Sequence, residues 1–253
     1  MTTRISLFFL CWLVFVSQPF AMADSLSLGW EDWKPYQYES PDGDLTGLDI
    51  DLVKAVFENQ GKTLKFVQLP WKRHLGNVEA GLIDLAASAS RTPEREQYAY
   101  FSDPYRSESA ALFIRKADQN KYQFSSLDDI IGTNFSLAVV RGYYYGEKFS
   151  QLMKNADFRK HVHEVNDNQL AQRQLVRGRV DGFLEDPIAA SFELEEEGLA
   201  DQVINVLPIY SDDIYVMFSK KTLSEADVEA FNKSLAEVRK AGHYDEIIGR
   251  YNK

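Results

Sequence analysis

The chain has 253 residues, of which 28 are basic and 38 acidic, so its formal net charge is −10. This length suits one large or two modest domains, and an apolar content of 45% is ordinary for a globular core. Because no basic cluster is present that follows a phosphate backbone, the composition argues against nucleic acid and anionic membranes as partners.

The first 23 residues have the pattern of a secretory signal peptide. Arg4 gives a short basic region, an apolar stretch of about a dozen residues follows, and Ala21-Met22-Ala23 forms an A-x-A cleavage site. The chain's one cysteine, Cys11, lies inside the apolar stretch, so we expect no disulfide in the mature protein. The sequence therefore predicts a soluble protein secreted to the periplasm.

Strands and helices alternate along the first half of the mature chain. Residues 26–30, 64–69 and 83–88 are predicted strands, and Asp49 is predicted to cap a helix that stops at Gly61. A further helix is predicted around residues 74–80. This order indicates a parallel sheet with crossover helices, in which ligands bind at the carboxyl ends of strands.

A polar motif follows the third of these strands, at Ser88, Ser90 and Arg95. Thr92 and Pro93 are typical of the N-cap and N1 positions of a helix, so Arg95 falls at N3, beside the positive end of the helix dipole. An anion is needed there. The two hydroxyls, backbone N–H groups and the planar guanidinium would form a carboxylate receptor. The alternative is a surface ion pair of Arg95 with Glu96 or Asp103.

The second half repeats the alternation. Residues 136–140 and 180–184 are predicted strands, and residues 168–176 a helix. The later strand leads into Asp186 and Pro187, a natural N-cap and N1 pair, and capping alone is the alternative to a binding role for Asp186. Ser224 and Asp227 resemble a capping box that opens a helix ending near Gly242.

Five motifs in order resemble one family. They are G-L-D-I-D-L (47–52), S-A-S-R-T-P-E-R (88–95), F-S-D-P-Y (101–105), G-R-V-D-G-F-L-E-D (178–186) and A-F-N-K-S-L-A-E-V-R-K-A-G-H-Y-D (230–245). Together they look like family 3 bacterial extracellular solute-binding proteins, the periplasmic receptors of polar amino acid ABC transporters. The match covers nearly the whole mature chain, which makes it far more specific than any single motif.

The resemblance implies an α/β fold of two lobes, the type II periplasmic binding protein or Venus flytrap fold. Each lobe is expected to hold a mostly parallel sheet flanked by helices, with two hinge crossovers. Lobe 1 would comprise residues 24–107 and 210–253, and lobe 2 residues 108–209. The expected function is to capture a small amino acid-like ligand between the lobes and to deliver it to a membrane permease. The protein is expected to be a monomer.

The resemblance also assigns roles to individual residues. Arg95, Ser88 and Ser90 would hold the α-carboxylate of the ligand, and Asp186 its α-ammonium. An aromatic ring near Trp33 commonly stacks over the ligand, and Trp71 takes another position in the pocket wall. Both tryptophans have core packing as the alternative.

One segment departs from the family pattern. Relatives usually carry Gly-Thr-Thr or Gly-Ser-Thr in the lobe 2 loop, where this chain has Gly142, Tyr143, Tyr144 and Tyr145. A backbone N–H at Gly142 can still bind a carboxylate. The phenols, of which Tyr143 is the pocket candidate, either reshape the pocket or turn outward, which leaves the identity of the ligand open.

Other chemistry has little support in the sequence. His161 and His163 lack a third metal ligand, and there is no zinc signature, G-x-S-x-G elbow, cysteine nucleophile or nucleotide-binding loop. We therefore expect neither a cofactor, a metal nor a catalytic residue. Two alternatives remain open. One is a cyclohexadienyl dehydratase-like enzyme that uses Glu185 or Asp186, and incubation with prephenate would distinguish such an enzyme from a binding protein. The other is a receptor that passes its signal to a sensor kinase.

Overall fold

The structure, a computed structural model, describes residues 25–251, and the predicted signal peptide lies outside this range. The strands are β1 (Ser25–Trp30), β2 (Tyr38–Glu39), β3 (Leu45–Thr46), β4 (Thr63–Gln68), β5 (Leu85–Ala89), β6 (Ala99–Phe101), β7 (Arg106–Arg115), β8 (Leu137–Val140), β9 (Val162–Val165), β10 (Gly182–Glu185) and β11 (Val203–Ser219). The α-helices are α1 (Leu48–Asn59), α2 (Trp71–Ala80), α3 (Pro93–Glu96), α4 (Gly146–Leu152), α5 (Ala156–Arg159), α6 (Asn168–Val176), α7 (Pro187–Glu196), α8 (Glu225–Lys240) and α9 (His243–Tyr251). Short 3-10 helices lie at Lys116–Asp118 and Leu127–Ile130.

Nine of the eleven strands form a continuous mixed sheet in the order β4-β1-β5-β11-β7-β10-β8-β9, with β6 also paired to β11, and β2 and β3 form a separate antiparallel pair. The pairs β1–β4, β1–β5, β10–β8 and β8–β9 are parallel, as the alternation of strands and helices predicts. The 17-residue strand β11 runs antiparallel to β7 and then continues beside β5 and β6. It therefore joins the two halves of the sheet.

Each half of the sheet has its own apolar core, and these two halves are the lobes. Lobe 1 is built around Leu28, Phe57 and Phe218, whereas lobe 2 is built around Phe135 and Phe158. The C-terminal helices return to lobe 1, where the ring of Phe231 in α8 lies 5.3 Å from that of Phe57 in α1. The predicted lobe limits at residues 107/108 and 209/210 fall inside β7 and β11, and their exact positions stay a prediction.

Several helix starts confirm the local sequence signals. Thr92 is the N-cap of α3 and accepts a hydrogen bond from the Arg95 backbone N–H, and Pro93 follows at the first helical position. Asp186 and Pro187 open α7 in the same way, and Ser224 with Asp227 forms the predicted capping box of α8. These signals are reliable because the groups that they join are close in sequence.

Two helix starts differ from the sequence prediction. Helix α1 begins at Leu48 with Gly47 as its N-cap, so the prediction that Asp49 caps it is wrong. Helix α2 begins at Trp71, directly after Pro70, and thus covers more residues than predicted. The Asp49 carboxylate is fully buried and turns away from the helix end, because it has a partner elsewhere.

That partner is Arg106, at the start of β7. The Arg106 guanidinium binds Asp49 with two hydrogen bonds, Nε to Oδ1 at 2.6 Å and Nη2 to Oδ2 at 2.7 Å. The guanidinium carbon also lies 3.8 Å from the ring centroid of Tyr36. This bidentate ion pair fixes α1 against the strand that leaves lobe 1.

Removing the Asp49 carboxylate is expected to destabilise the protein. In Asp49→Ala the Arg106 charge stays buried without its partner, so the free energy of unfolding should fall by about 3–5 kcal/mol in urea denaturation. Asp157→Ala is the matched control, because the exposed pair of Asp157 with Lys160 should contribute less than about 1 kcal/mol. Equal losses in the two variants would contradict a structural role for the buried pair.

A second buried polar cluster lies inside lobe 2. The Gln172 Nε2 group donates to Glu185 Oε2 at 2.9 Å and to Glu193 Oε2 at 2.8 Å. All three side chains are buried. Burial raises the pKa of Glu193 to about 8, and repulsion from Asp32 adds to this effect. Burial also raises the pKa of Glu185 well above its usual range, and there repulsion from Glu193 adds to the effect.

This cluster predicts that stability falls as the pH rises from 7 to 8.5. The folded protein keeps a proton on Glu193 that the unfolded chain has already lost, so each such proton lowers stability by about 1.4 kcal/mol per pH unit until the folded pKa is passed. Buried His74, whose pKa burial lowers to about 4, acts in the opposite direction only below about pH 6.5.

Urea denaturation at both pH values measures this slope. Glu193→Gln should reduce the loss of stability, whereas Glu195→Gln, at an exposed position of the same helix, should retain the wild-type slope. A wild-type stability that rises between pH 7 and 8.5 would contradict protonated carboxyls in the core.

Candidate functional site

A small cavity lies between the lobes, where the carboxyl end of β5 faces the tyrosine loop (residues 142–145) of lobe 2. It is lined by Glu31, Trp33, Gln37, Trp71, Ser88, Ser90, Arg95, Glu108, Tyr143 and Tyr144. Six of the eight predicted site residues are in this set. The other two, Gly142 and Asp186, do not line the cavity but bind side chains of lobe 1.

Arg95 is buried in this cleft, with 6% of its surface exposed. Its Nη1 donates to the Ser90 carbonyl at 2.8 Å, and its Nη2 donates across the cleft to the Gly142 carbonyl at 3.0 Å. It forms no ion pair with any carboxylate of residues 25–251. The surface pair considered from the sequence is therefore wrong, and Glu96 instead pairs with Arg91.

The missing counterion has an electrostatic cost. Burial lowers the pKa of Arg95, because a charged guanidinium is less stable away from water. Carbonyl oxygens offset only part of that cost, since two of the five guanidinium N–H groups are bonded. The site is therefore suited to an anion that brings a full negative charge and two oxygen acceptors.

The two predicted serines differ in their surroundings. Ser88 has a left-handed backbone, with φ of 57°, and its hydroxyl donates to Asp49. Its backbone N–H donates to the Tyr105 hydroxyl at 2.9 Å. Ser88 thus links the cleft to the buried Asp49–Arg106 pair, whereas Ser90 supplies a buried carbonyl to Arg95.

Asp186 accepts hydrogen bonds on both oxygens. Oδ1 caps α7 through the backbone N–H groups of Ile188 and Ala189 and also accepts from the Tyr36 hydroxyl at 2.9 Å. Oδ2 accepts from the backbone N–H of Ser109 at 3.2 Å. Because Tyr36 belongs to lobe 1, the bond from Tyr36 is the one that separation of the lobes would release.

Aromatic rings fill most of the cleft. The Tyr143 ring lies between Trp33 and Trp71, with centroids at 6.2 and 6.4 Å. Its hydroxyl donates to Glu31 Oε1 at 2.6 Å, across the lobes. The sequence left open whether the phenols of the tyrosine loop reshape the pocket or turn outward, and the Tyr143 side chain reshapes the pocket. Tyr145 is instead buried in lobe 2, where its hydroxyl accepts a hydrogen bond from the Val140 N–H.

The tyrosine loop is clamped to lobe 1 at its first residue. The Gly142 carbonyl accepts from Trp71 Nε1 at 3.2 Å in addition to Arg95. Gly142 has φ of 87°, and a Cβ at this position would lie 3.3 Å from the Lys72 side chain. The remaining cavity has a volume of about 20 Å³, which is room for about one water molecule. The structure is thus a closed form of the cleft.

The sequence did not single out two cleft carboxyls, Glu31 and Glu108. Burial raises the pKa of Glu31 to about 7 and that of Glu108 to about 8. Glu31 directly follows β1, and Glu108 lies near the start of β7, two residues before the apolar run Ala-Ala-Leu-Phe-Ile (110–114). An acidic residue at the end of a buried strand or just before an apolar run is the sequence signal that could have identified these two carboxyls.

Three polar residues near the start of α2 do not line the cavity. Lys72 and Arg73 are exposed, and His74 is buried with its ring nitrogen 3.0 Å from the Leu85 carbonyl. Residues 25–251 contain no cluster of three metal-ligating side chains. None of the helices in this range has the length and apolarity of a membrane span.

Comparison with known proteins gives matches over nearly the whole chain. The probable histidine-binding protein of Neisseria gonorrhoeae is 24% identical over 221 residues, which are 87% of this chain and 80% of that protein. A cyclohexadienyl dehydratase of Pseudomonas aeruginosa is 27% identical over 164 residues, 64% of this chain and 59% of that enzyme.

The same relationship appears among solved structures. An ancestral arginine-binding protein bound to arginine has a TM-score of 0.79 and 26% identity, covering 92% of this chain and all of that one. This likeness confirms the predicted two-lobed, type II periplasmic binding protein fold. Residues 26–253 match the family model for bacterial extracellular solute-binding proteins, family 3, and the chain belongs to that family.

Proposed function

We propose that the protein is a periplasmic solute-binding protein that captures a small amino acid-like ligand between its lobes and delivers it to the permease of an ABC transporter. The observation that carries the proposal is the buried Arg95 guanidinium, which lies in the cleft without a carboxylate partner in residues 25–251. Relatives named for binding histidine and arginine support an amino acid as the ligand class. The predicted signal peptide supports action in the periplasm, and a monomeric state is part of the proposal.

In this proposal the ligand replaces contacts that now join the two lobes. Its α-carboxylate takes the place of the Gly142 carbonyl on Arg95, and Ser90 lies beside it. Its α-ammonium takes the place of the Tyr36 hydroxyl on Asp186. Each exchange keeps Arg95 and Asp186 hydrogen-bonded and gives each of them a charged partner in place of a neutral one.

Tyr143 has to leave the cleft before a ligand enters. Its ring and the two tryptophans occupy the position between the lobes, and its one hydrogen bond across the cleft is to Glu31. Separation of the lobes breaks this contact, and Trp33 and Trp71 then offer flat apolar faces to the ligand. Closure around the ligand is the change of shape that a permease would recognise.

We infer that the protein binds its ligand without transforming it. Glu31 and Glu108 are cleft carboxyls with raised pKa values, which acid–base catalysts also have, and one relative is a dehydratase. This observation keeps the enzyme as a second candidate. Binding proteins among the relatives and the absence from the sequence of an established catalytic motif favour binding, and a receptor for a signalling partner would use the same cleft.

Replacing Arg95 tests the proposal directly. A thermal-shift screen of the common amino acids identifies a ligand, since ligand at about 100 times its Kd adds about 2.7 kcal/mol to stability. In calorimetry, Arg95→Ala should weaken binding of that amino acid by about 2–5 kcal/mol, because the ligand carboxylate loses its charged partner.

The matched control is Arg91→Ala, in which an exposed arginine of the same segment is removed. It should bind the ligand with wild-type affinity. If Arg95→Ala binds within a factor of three of the wild type, the carboxylate is held elsewhere. If the wild type binds no amino acid, the proposed function is wrong.

A further inference from the structure

Glu108 is the cleft carboxyl that the protein leaves without a hydrogen bond. It lies near the start of β7, lines the same cavity as Arg95, and its side chain is 15% exposed. Its Oε2 is buried and has no hydrogen-bond partner in residues 25–251. Arg106 Nη2 is 3.6 Å away, but that guanidinium is already committed to Asp49 by two short hydrogen bonds.

Several polar groups of the closed cleft are satisfied by the opposite lobe, although the Trp33 Nε1 group of the cavity lining is, like Glu108 Oε2, buried without a hydrogen-bond partner in residues 25–251. Arg95 and Trp71 donate to the Gly142 carbonyl, and Glu31 accepts from Tyr143. Asp186 likewise accepts from Tyr36. Glu108 does not follow this pattern. A buried carboxyl without a donor is unfavourable, so its natural partner is a group that is supplied with the ligand.

The charges of the cavity lining indicate what that group is. Arg95 contributes one positive charge, whereas Glu31 and Glu108 each carry a carboxyl. Arg106 and Asp49 neutralise each other behind the wall. In the proposed function, Arg95 and Asp186 serve the α-carboxylate and α-ammonium of the ligand. Glu31 and Glu108 are therefore surplus acidic groups for an amino acid whose side chain is neutral.

The groove next to the cavity has the same sign of charge. It has a volume of about 340 Å³ and is lined by Glu31, Asp32, Gln68, Leu69, Pro70, Asn166, Asp167 and Gln169. Three of these residues are acidic, and none is basic. An acidic groove beside the cavity concentrates cations near the site and disfavours anions.

We propose that the cleft selects an amino acid with a cationic side chain, and that Glu108 is the residue that pairs with this side-chain cation. The inference rests on the proposed function and names its substrate class. Glu31, once released by Tyr143, adds a second negative charge to the same end of the site. Burial also raises the pKa of Glu108 to about 8, which is the effect expected for a buried carboxyl that has no cation bound to it.

The test compares ligands that differ in side-chain charge but hardly in shape. Calorimetry measures the Kd of L-arginine and of L-citrulline, in which a neutral ureido group replaces the guanidinium, and L-lysine is compared with L-glutamine. The wild type should bind the better basic amino acid at least about tenfold tighter than its neutral counterpart.

Variants then assign the preference to Glu108. Glu108→Gln keeps the size of the side chain and should weaken the basic amino acid by at least about thirtyfold, while changing the neutral one by less than about threefold. The matched control, Glu58→Gln at an exposed position of α1, should leave both Kd values unchanged. Thermal melting of Glu108→Gln without ligand shows whether the variant is folded.

Each result supports or overturns one claim. If the wild type binds neutral amino acids as tightly as basic ones, the charge preference is wrong while the proposed function stands. If Glu108→Gln weakens basic and neutral ligands equally, or neither, Glu108 does not pair with the side chain. If the wild type binds no amino acid of either kind, the proposed function itself fails.

Discussion

The cleft is organised around a positive charge that the protein buries and does not neutralise. Arg95 is held by the four-residue helix α3, whose start Thr92 and Pro93 fix, and its guanidinium bonds two carbonyl oxygens, one from each lobe. A desolvated cation that has only dipoles as partners is an unfavourable arrangement unless a stronger acceptor can replace one of them. We therefore interpret the Gly142 carbonyl, which accepts a hydrogen bond from Arg95, as a group that a ligand anion can replace.

The closed cleft uses its own groups in place of a ligand. The Gly142 carbonyl lies on Arg95, the Tyr36 hydroxyl lies on Asp186, and the Tyr143 ring lies between the tryptophans. Arg95 and Asp186 keep a hydrogen-bond partner before and after such an exchange, so the number of bonds that they form changes little. Affinity then has to come from full charges and from apolar surface. Under the proposed function, ligand charge is therefore the main determinant of selectivity.

The departure at the tyrosine loop and the unbonded Glu108 belong to the same account. A smaller side chain at position 143 would leave a larger cavity in the closed form, whereas Tyr143 reduces it to about 20 Å³. The phenol also keeps Glu31 hydrogen-bonded while the lobes are together. Glu108 has no such substitute. In the proposal, the protein itself satisfies the Glu31 carboxyl in the closed form, and the ligand satisfies the Glu108 carboxyl.

Local signals in the sequence predicted much of this fold but less of the site. The caps at Thr92 and Asp186 were predictable because each joins groups within a few residues. The cap at Asp49 failed because Arg106, 57 residues away, competes for its carboxylate. The direction of the Tyr143 side chain and the lack of a hydrogen bond at Glu108 depend on how the two lobes meet. The spacing of residues within one segment does not predict how separate lobes pack together.

The structure of the protein crystallised with a bound amino acid tests the central claim most directly. The account predicts that the α-carboxylate of the ligand accepts two hydrogen bonds from the Arg95 guanidinium, at about 2.7–2.9 Å, and that the Gly142 carbonyl has moved off Arg95. A complex in which Arg95 still donates to Gly142 while the carboxylate lies elsewhere would contradict it.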